Sequence, residues 1–363
     1  MLSPKTKNNI GRVVPFALIW VLFSFVYSLL ERGLLGHLPY YPSTGNPYNF
    51  GKTISITVII ALVLGLFIGA IEILYINKIF LKRSFTTKII CKTIIYLVVI
   101  ILFLLINTII FNAITLKTSI FNPVVWDNAW AFFSNFAFLS VELYIAVIIG
   151  VSLFYTEVSE NLGQSVLNNF FTGKYHRPVE EERIFMFLDM KSSTTIAENI
   201  GHVKYFEMLR EYFSDLTDPI IRYSGEIYQY VGDEIVVSWK IKKGLENNNC
   251  VACFFAIKAE IKKQGKKYHE KFGLSPGFKA GFHLGKVTTG EIGVIKKDII
   301  FTGDVLNTTA RIQGLCNFYK TDLLISGQLI QKLAPSAFII SALGENELRG
   351  RGEKIELFTI QPV

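Results

Sequence analysis

The sequence predicts a chain in two parts, an all-α bundle of four membrane-spanning helices followed by an α+β domain, and three observations carry that reading. A mean hydropathy of +0.39 with 51% hydrophobic residues over 363 residues is too apolar for a chain that meets only water. Eleven basic and four acidic residues precede Tyr155, so most of the net charge of +8 belongs to the first part. After Glu182 the order of elements is strand, helix, hairpin, helix, strand. The expected boundaries are a membrane domain at 1–155, a helical linker at 156–181 and a second domain at 182–363.

Four apolar segments, Val13 to Leu30, Thr53 to Asn77, Ile89 to Leu116 and Ala129 to Tyr155, are each long enough to cross a hydrocarbon core of ~30 Å. The first follows Lys5, Lys7 and Arg12, but its apolar run exceeds the ~7 to 15 residues of a signal peptide and it is read as retained. Basic residues gather at the N-terminus and at Lys78, Lys82, Arg83 and Lys88, whereas loops 31–52 and 117–128 carry few. The positive-inside rule then puts both termini and the second domain in the cytoplasm of a cell-membrane protein with four spans in lipid. Glu72 and Glu142 interrupt apolar helices without an obvious basic partner. They are read as interhelical hydrogen bonds, or alternatively as a pH- or cation-sensitive switch.

The basic charge flanks apolar runs and lines no exposed aromatic surface, which argues against nucleic acid as a partner. Four cysteines make no disulfide framework, and the CVAC at Cys250 and Cys253 lies on an apolar helical stretch, which points to core packing rather than zinc. In the linker, Val158, Leu162, Val166 and Phe170 repeat every four residues. That stripe could pair with a second copy or pack on its own domain. Pro178 should end any helix before it.

In the second domain the strand is Arg183 to Asp189, the first helix Ile196 to Leu216, the hairpin Glu226 to Lys240, the second helix Asn249 to Lys271 and the next strand Phe278 to Leu284. That order is a ferredoxin-like core with additions. Thr195 and Glu198 suit a capping box, and Ile196, Ile200, Val203, Phe206, Leu209 and Phe213 are the expected buried face. Asp189 closes its strand and Asp233 sits in the Gly232-Asp233 turn, at the same end of the sheet on adjacent strands. Two carboxylates so placed suit Mg²⁺ and a nucleoside triphosphate. The loop MKSSTT, with Thr194, puts hydroxyls and helix N–H groups beside Asp189 to cradle phosphate. Asn307 and Arg311 are four apart on a helix, as ribose and α-phosphate ligands or as a helix-end amide and a surface arginine. Arg349, in LRGRGE, can reach a terminal phosphate.

Together FLDMKSST, YVGDEIVVSW, GFHLGKVTTGEIG, NTTAR and LRGRGE, in that order over Glu182 to Pro362, resemble the class III nucleotide cyclases. The resemblance implies that Asp189 and Asp233, with the Met190 carbonyl, bind two Mg²⁺ or Mn²⁺ ions. Asn307 would orient the ribose, Arg311 stabilise the transition state, and Arg349 hold the terminal phosphate. It implies a phosphorus-oxygen lyase that closes the ribose 3′-hydroxyl onto the α-phosphate and releases pyrophosphate, at sites shared across a homodimer. Its base-reading positions hold Gln229 and Ile300 here, neither the usual adenine pair nor the guanine pair. ATP, giving cyclic AMP for intracellular signalling, is the first expectation. GTP, a pyrimidine triphosphate, or a catalytically silent nucleotide sensor is the alternative.

Overall fold

The computed structural model describes residues 3–42, 47–80, 83–334, 338–348 and 354–362. It divides into two compact units, Asn9–Asn168 and Asn169–Val363 with Met1–Asn8. In the first, four helices are long and apolar enough to cross a membrane: α1 Pro4–Leu35, α2 Phe50–Ile71 with its continuation to Ile79, α3 Phe85–Thr115 and a fourth, α5, Phe136–Leu162. Large apolar side chains such as Leu18, Phe67, Phe103 and Leu143 lie on the outside of these helices.

The fourth span starts later than expected. Ala129 belongs to a separate short helix, α4 Pro123–Phe133, because Asn122 caps α4 and Asn135 caps α5, each side chain accepting a backbone N–H. Helices α1 and α2 meet through Ala61, Gly65 and Gly69, spaced by four on one buried face. A Cβ at Gly65 would lie 2.8 Å from the Ala17 Cα, so only glycine permits this approach.

Glu72 is fully buried and does have a basic partner. Lys92 of α3 donates to Glu72 (2.6 Å), to Asn77 (3.0 Å) and to Glu157 of α5 (3.2 Å), while the Tyr96 hydroxyl donates to the other Glu72 oxygen (2.8 Å). Lys88 completes Glu157 at 2.9 Å, and Arg12 pairs with Glu160. Glu72 opens one turn of π-helix, Glu72–Ile76, which widens α2 at this cluster. Glu142 is buried too, and its Oε2 has no hydrogen-bond partner among the described residues.

The four-residue stripe of the linker is interrupted. Gly163, at φ 87°, ends α5, and α6 Gln164–Thr172 starts afresh, so Val158 and Leu162 lie on one helix and Val166 and Phe170 on the next.

The second unit is an eight-stranded mixed sheet in the order β2-β3-β1-β4-β6-β8-β7, with β5 paired to β4. The strands are β1 Val179–Met190, β2 Glu226–Val231, β3 Glu234–Lys240, β4 Phe278–Ile292, β5 Asp298–Thr302, β6 Leu323–Ser326, β7 Phe338–Asn346 and β8 Ile355–Pro362. The run β2-β3-β1-β4 is the ferredoxin-like core that the element order predicts. Alternate residues of β1 serve two faces. Ile184, Met186, Leu188 and Met190 point into the main core, whereas Phe185 and Phe187 meet Val236, Val287 and Val305 on the other face.

The first helix of this unit is two, α7 Ser193–Ile200 and α8 His202–Arg222, split where Gly201 takes φ 81°. Helix α7 opens at Ser192 in a left-handed conformation, so Thr195 and Glu198 lie inside it and form no capping box at its start. The buried face of α8 is Met208, Leu209, Tyr212, Leu216 and Ile220, and the expected Val203 and Phe206 are exposed. The break at Gly201 resets the helical phase. The second helix is likewise divided, into α9 Asn249–Lys263 and α10 Gly265–Phe272. Cys250 and Cys253 of α9 are free thiols in the core. Helix α11, Asp304–Gly314, lies against β4 where Gly281 has no side chain to hold it off.

Candidate active site

Residues Glu181, Arg183, Phe185, Phe187 and Asp189 share the face of β1 turned away from the main core, since successive strand residues alternate. Antiparallel pairing sets Asp189 opposite Glu234, one residue past the β2–β3 turn. Gly232, at φ 63°, makes that turn tight enough to bring Asp233 beside Asp189, where the charge of one acts on the other. The two predicted carboxylates therefore come together.

Like charges so close are costly. Burial, and then the charge of Asp233, push the Asp189 carboxyl above the usual range. Burial and both aspartates push Glu234 up to about 7. Two neighbours temper this. Gln313 of α11 donates to Asp189 Oδ2 at 3.1 Å, and Lys279, directly across the β1–β4 ladder, brings its ammonium to 3.5 Å from the same oxygen. Neither was legible from sequence, because both depend on strand register and on where α11 docks. Met190 is the last residue of β1 with its side chain in the core, and Thr194 is exposed in the first turn of α7.

Asn307 and Arg311 lie on α11, the amide exposed and the guanidinium half-buried. Among the described residues neither makes a hydrogen bond or ion pair within the chain. They are not tied to Asp189 or Asp233. Gln229 is exposed on β2 and Ile300 is half-buried on β5. Arg349 lies outside the described residues.

Residues 177–362 match the model of the adenylate and guanylate cyclase catalytic domain. Adenylate cyclase 2 of Rhizobium meliloti is 37% identical over 223 residues, which cover 61% of each chain. Adenylate cyclase 1 of the same organism is 25% identical over 184 residues, 50% of this chain and 27% of that one. The chain thus spans less than two thirds of these relatives. A bacterial light-regulated adenylyl cyclase has the same fold, with a TM-score of 0.52, 19% identity and coverage of 62% of this chain and 66% of that one. With its family model spanning half the sequence and Asp189 brought to Asp233 by the fold, the chain belongs to the adenylate and guanylate cyclase catalytic domain family.

Proposed function

We propose that this chain is a membrane-anchored adenylate cyclase that converts ATP to 3′,5′-cyclic AMP and pyrophosphate at sites shared between two copies. The observation that carries the reading is the half-buried like-charged pair Asp189 and Asp233, a grouping that is costly unless a cation joins it. A divalent metal fits the donor set, which is all oxygen. Among the described residues no cluster of three or more His, Cys, Asp or Glu side chains is arranged to ligate a metal. Two carboxylates plus triphosphate oxygens, water and the Met190 carbonyl are the ligand balance that Mg²⁺ favours. A bound Mg²⁺ or Mn²⁺ pair supplies acidification of the ribose hydroxyl and neutralises triphosphate charge.

The chain's own residues do the rest. Gln313 and Lys279 hold Asp189 Oδ2, which leaves the other oxygen for the metal. Asn307 fixes the ribose so that its 3′-oxygen is in line with the α-phosphate, and Arg311 stabilises the charge that grows on that phosphate. The freedom of both side chains within one chain supports their acting on the nucleotide held by the aspartates of a second copy. Thr194 and Arg349 are assigned to the phosphates, and Gln229 and Ile300 to the base. Positive charge at the N-terminus and at Lys78, Arg83 and Lys88 supports a cytoplasmic catalytic unit, with residues 156–181 as linker.

The test is incubation of the detergent-solubilised chain with Mn²⁺ and ATP, GTP, CTP or UTP, with products identified by mass. Cyclic AMP as the main product is expected. Cyclic GMP or a cyclic pyrimidine nucleotide would reassign the base, and no cyclic product from a folded chain would favour a silent nucleotide sensor.

A further inference from the structure

We infer that Tyr228 is a positioning residue for base selection, clasping β5 to the β2–β3 hairpin so that Gln229 and Ile300 keep a fixed separation. The inference rests on the assignment of those two residues to the base under the proposed function. Its structural basis begins with a bulge. Ile227 pairs with Val237 and Gln229 with Val236, so Tyr228 is the extra residue of β2. Residues directly opposite in a ladder share a face, so Gln229 joins Val236 on the α11 side. Tyr228 packs in that same cluster, whereas Ile227 packs against the main core. The bulge thus sets Tyr228 and Gln229 side by side on one face, which regular alternation forbids.

From there Tyr228 reaches β5. Its hydroxyl accepts the backbone N–H of Phe301 at 3.1 Å, and the two rings lie 4.6 Å apart. The bond satisfies an N–H on a strand that the ladder leaves paired on one side only. Phe301 is itself held from below. Its ring meets Phe185 at 5.6 Å, and the Arg183 guanidinium lies 4.7 Å from its centroid. Arg183 is 2% exposed and is fixed by Ser238 (2.6 Å), Glu226 (2.8 Å) and Glu181 (3.1 Å). Gln229 follows Tyr228 and Ile300 precedes Phe301, so this clasp, seated on a buried charged platform, fixes the backbone that carries both base-reading side chains.

The experiment compares kcat/KM for ATP and GTP in the full chain and in the Tyr228→Phe and Phe301→Leu variants, alongside displacement of a fluorescent ATP analogue by each triphosphate. Loss of the hydrogen bond in Tyr228→Phe should change the ATP-to-GTP ratio about fivefold, the worth of one such bond. Phe301→Leu keeps the N–H and should move the ratio less. If both rates fall in proportion and the ratio stays put, Tyr228 is merely structural and the inference is overturned. If the wild-type chain binds both triphosphates but cyclises neither, the proposed function fails while the ratio of displacement affinities still decides this one. Displacement by neither triphosphate overturns both.

Discussion

Two clusters of charge, one buried and one half-buried, are built into this chain on opposite rules. In the unit of four long apolar helices, Lys92 stands between Glu72 and Glu157, Lys88 adds a second cation, and Asn77 and Tyr96 fill the remaining positions. In the cyclase unit, Asp189, Asp233 and Glu234 crowd together, and among the described residues Lys279 is the cation paired with them, at 3.5 Å from Asp189. A balanced cluster in an apolar medium locks helices together, because every member left alone would be expensive. An unbalanced one stores electrostatic cost that, under the proposed function, a metal and a triphosphate would release on binding. Balance marks the helical unit and imbalance marks the candidate site.

The largest expected effect tests the unbalanced side. Asp189→Asn should lower cyclic nucleotide formation by more than about a thousandfold through loss of a metal ligand, read as product per minute at saturating ATP. Arg311→Ala should lower kcat by about a hundred- to a thousandfold with little change in nucleotide affinity. Mixing it with Asp189→Asn should recover activity if sites are shared between copies, and no recovery in demonstrably mixed dimers would count against sharing. On the balanced side, Lys92→Met strands Glu72, while Glu157 keeps Lys88, and should cost about 3 kcal/mol in detergent unfolding experiments. Gly65→Leu, which forces α1 from α2, should cost about 1 to 3 kcal/mol.

The smallest effect is a pH slope. Glu234 titrates near 7 in the folded chain against 4.5 as the ordinary value, so it favours folding fully below 4.5 and that contribution is lost as pH rises through 7. Glu234→Gln should flatten the metal-free stability of the cyclase strands between those limits, followed by hydrogen exchange.

The two regions also differ in how legible they were. Asp189, Asp233, Asn307 and Arg311 stand in short motifs whose spacing alone places them at a strand end, in a turn and on one helix face. The Lys92 cluster was not legible, because it joins residues from three helices and a lysine near a helix start reads as an interfacial flank. Ala61, Gly65 and Gly69 did carry a sequence signal for close helix packing. Helix phase was misread at α8 because Gly201, a single residue at positive φ, resets a periodicity that otherwise looks continuous. Tyr228 was hidden by its bulge, since one extra residue moves side chains between faces and leaves no mark in composition.

The central claim is best tested by the metal-free melting temperature at pH 8, after one carboxylate in each cluster is neutralised. Glu72→Gln should lower it by weakening a balanced network, and Asp233→Asn should raise it by relieving like-charge repulsion on Asp189. Shifts of the same sign in both variants would contradict the division between a structural cluster and a site poised for metal and nucleotide.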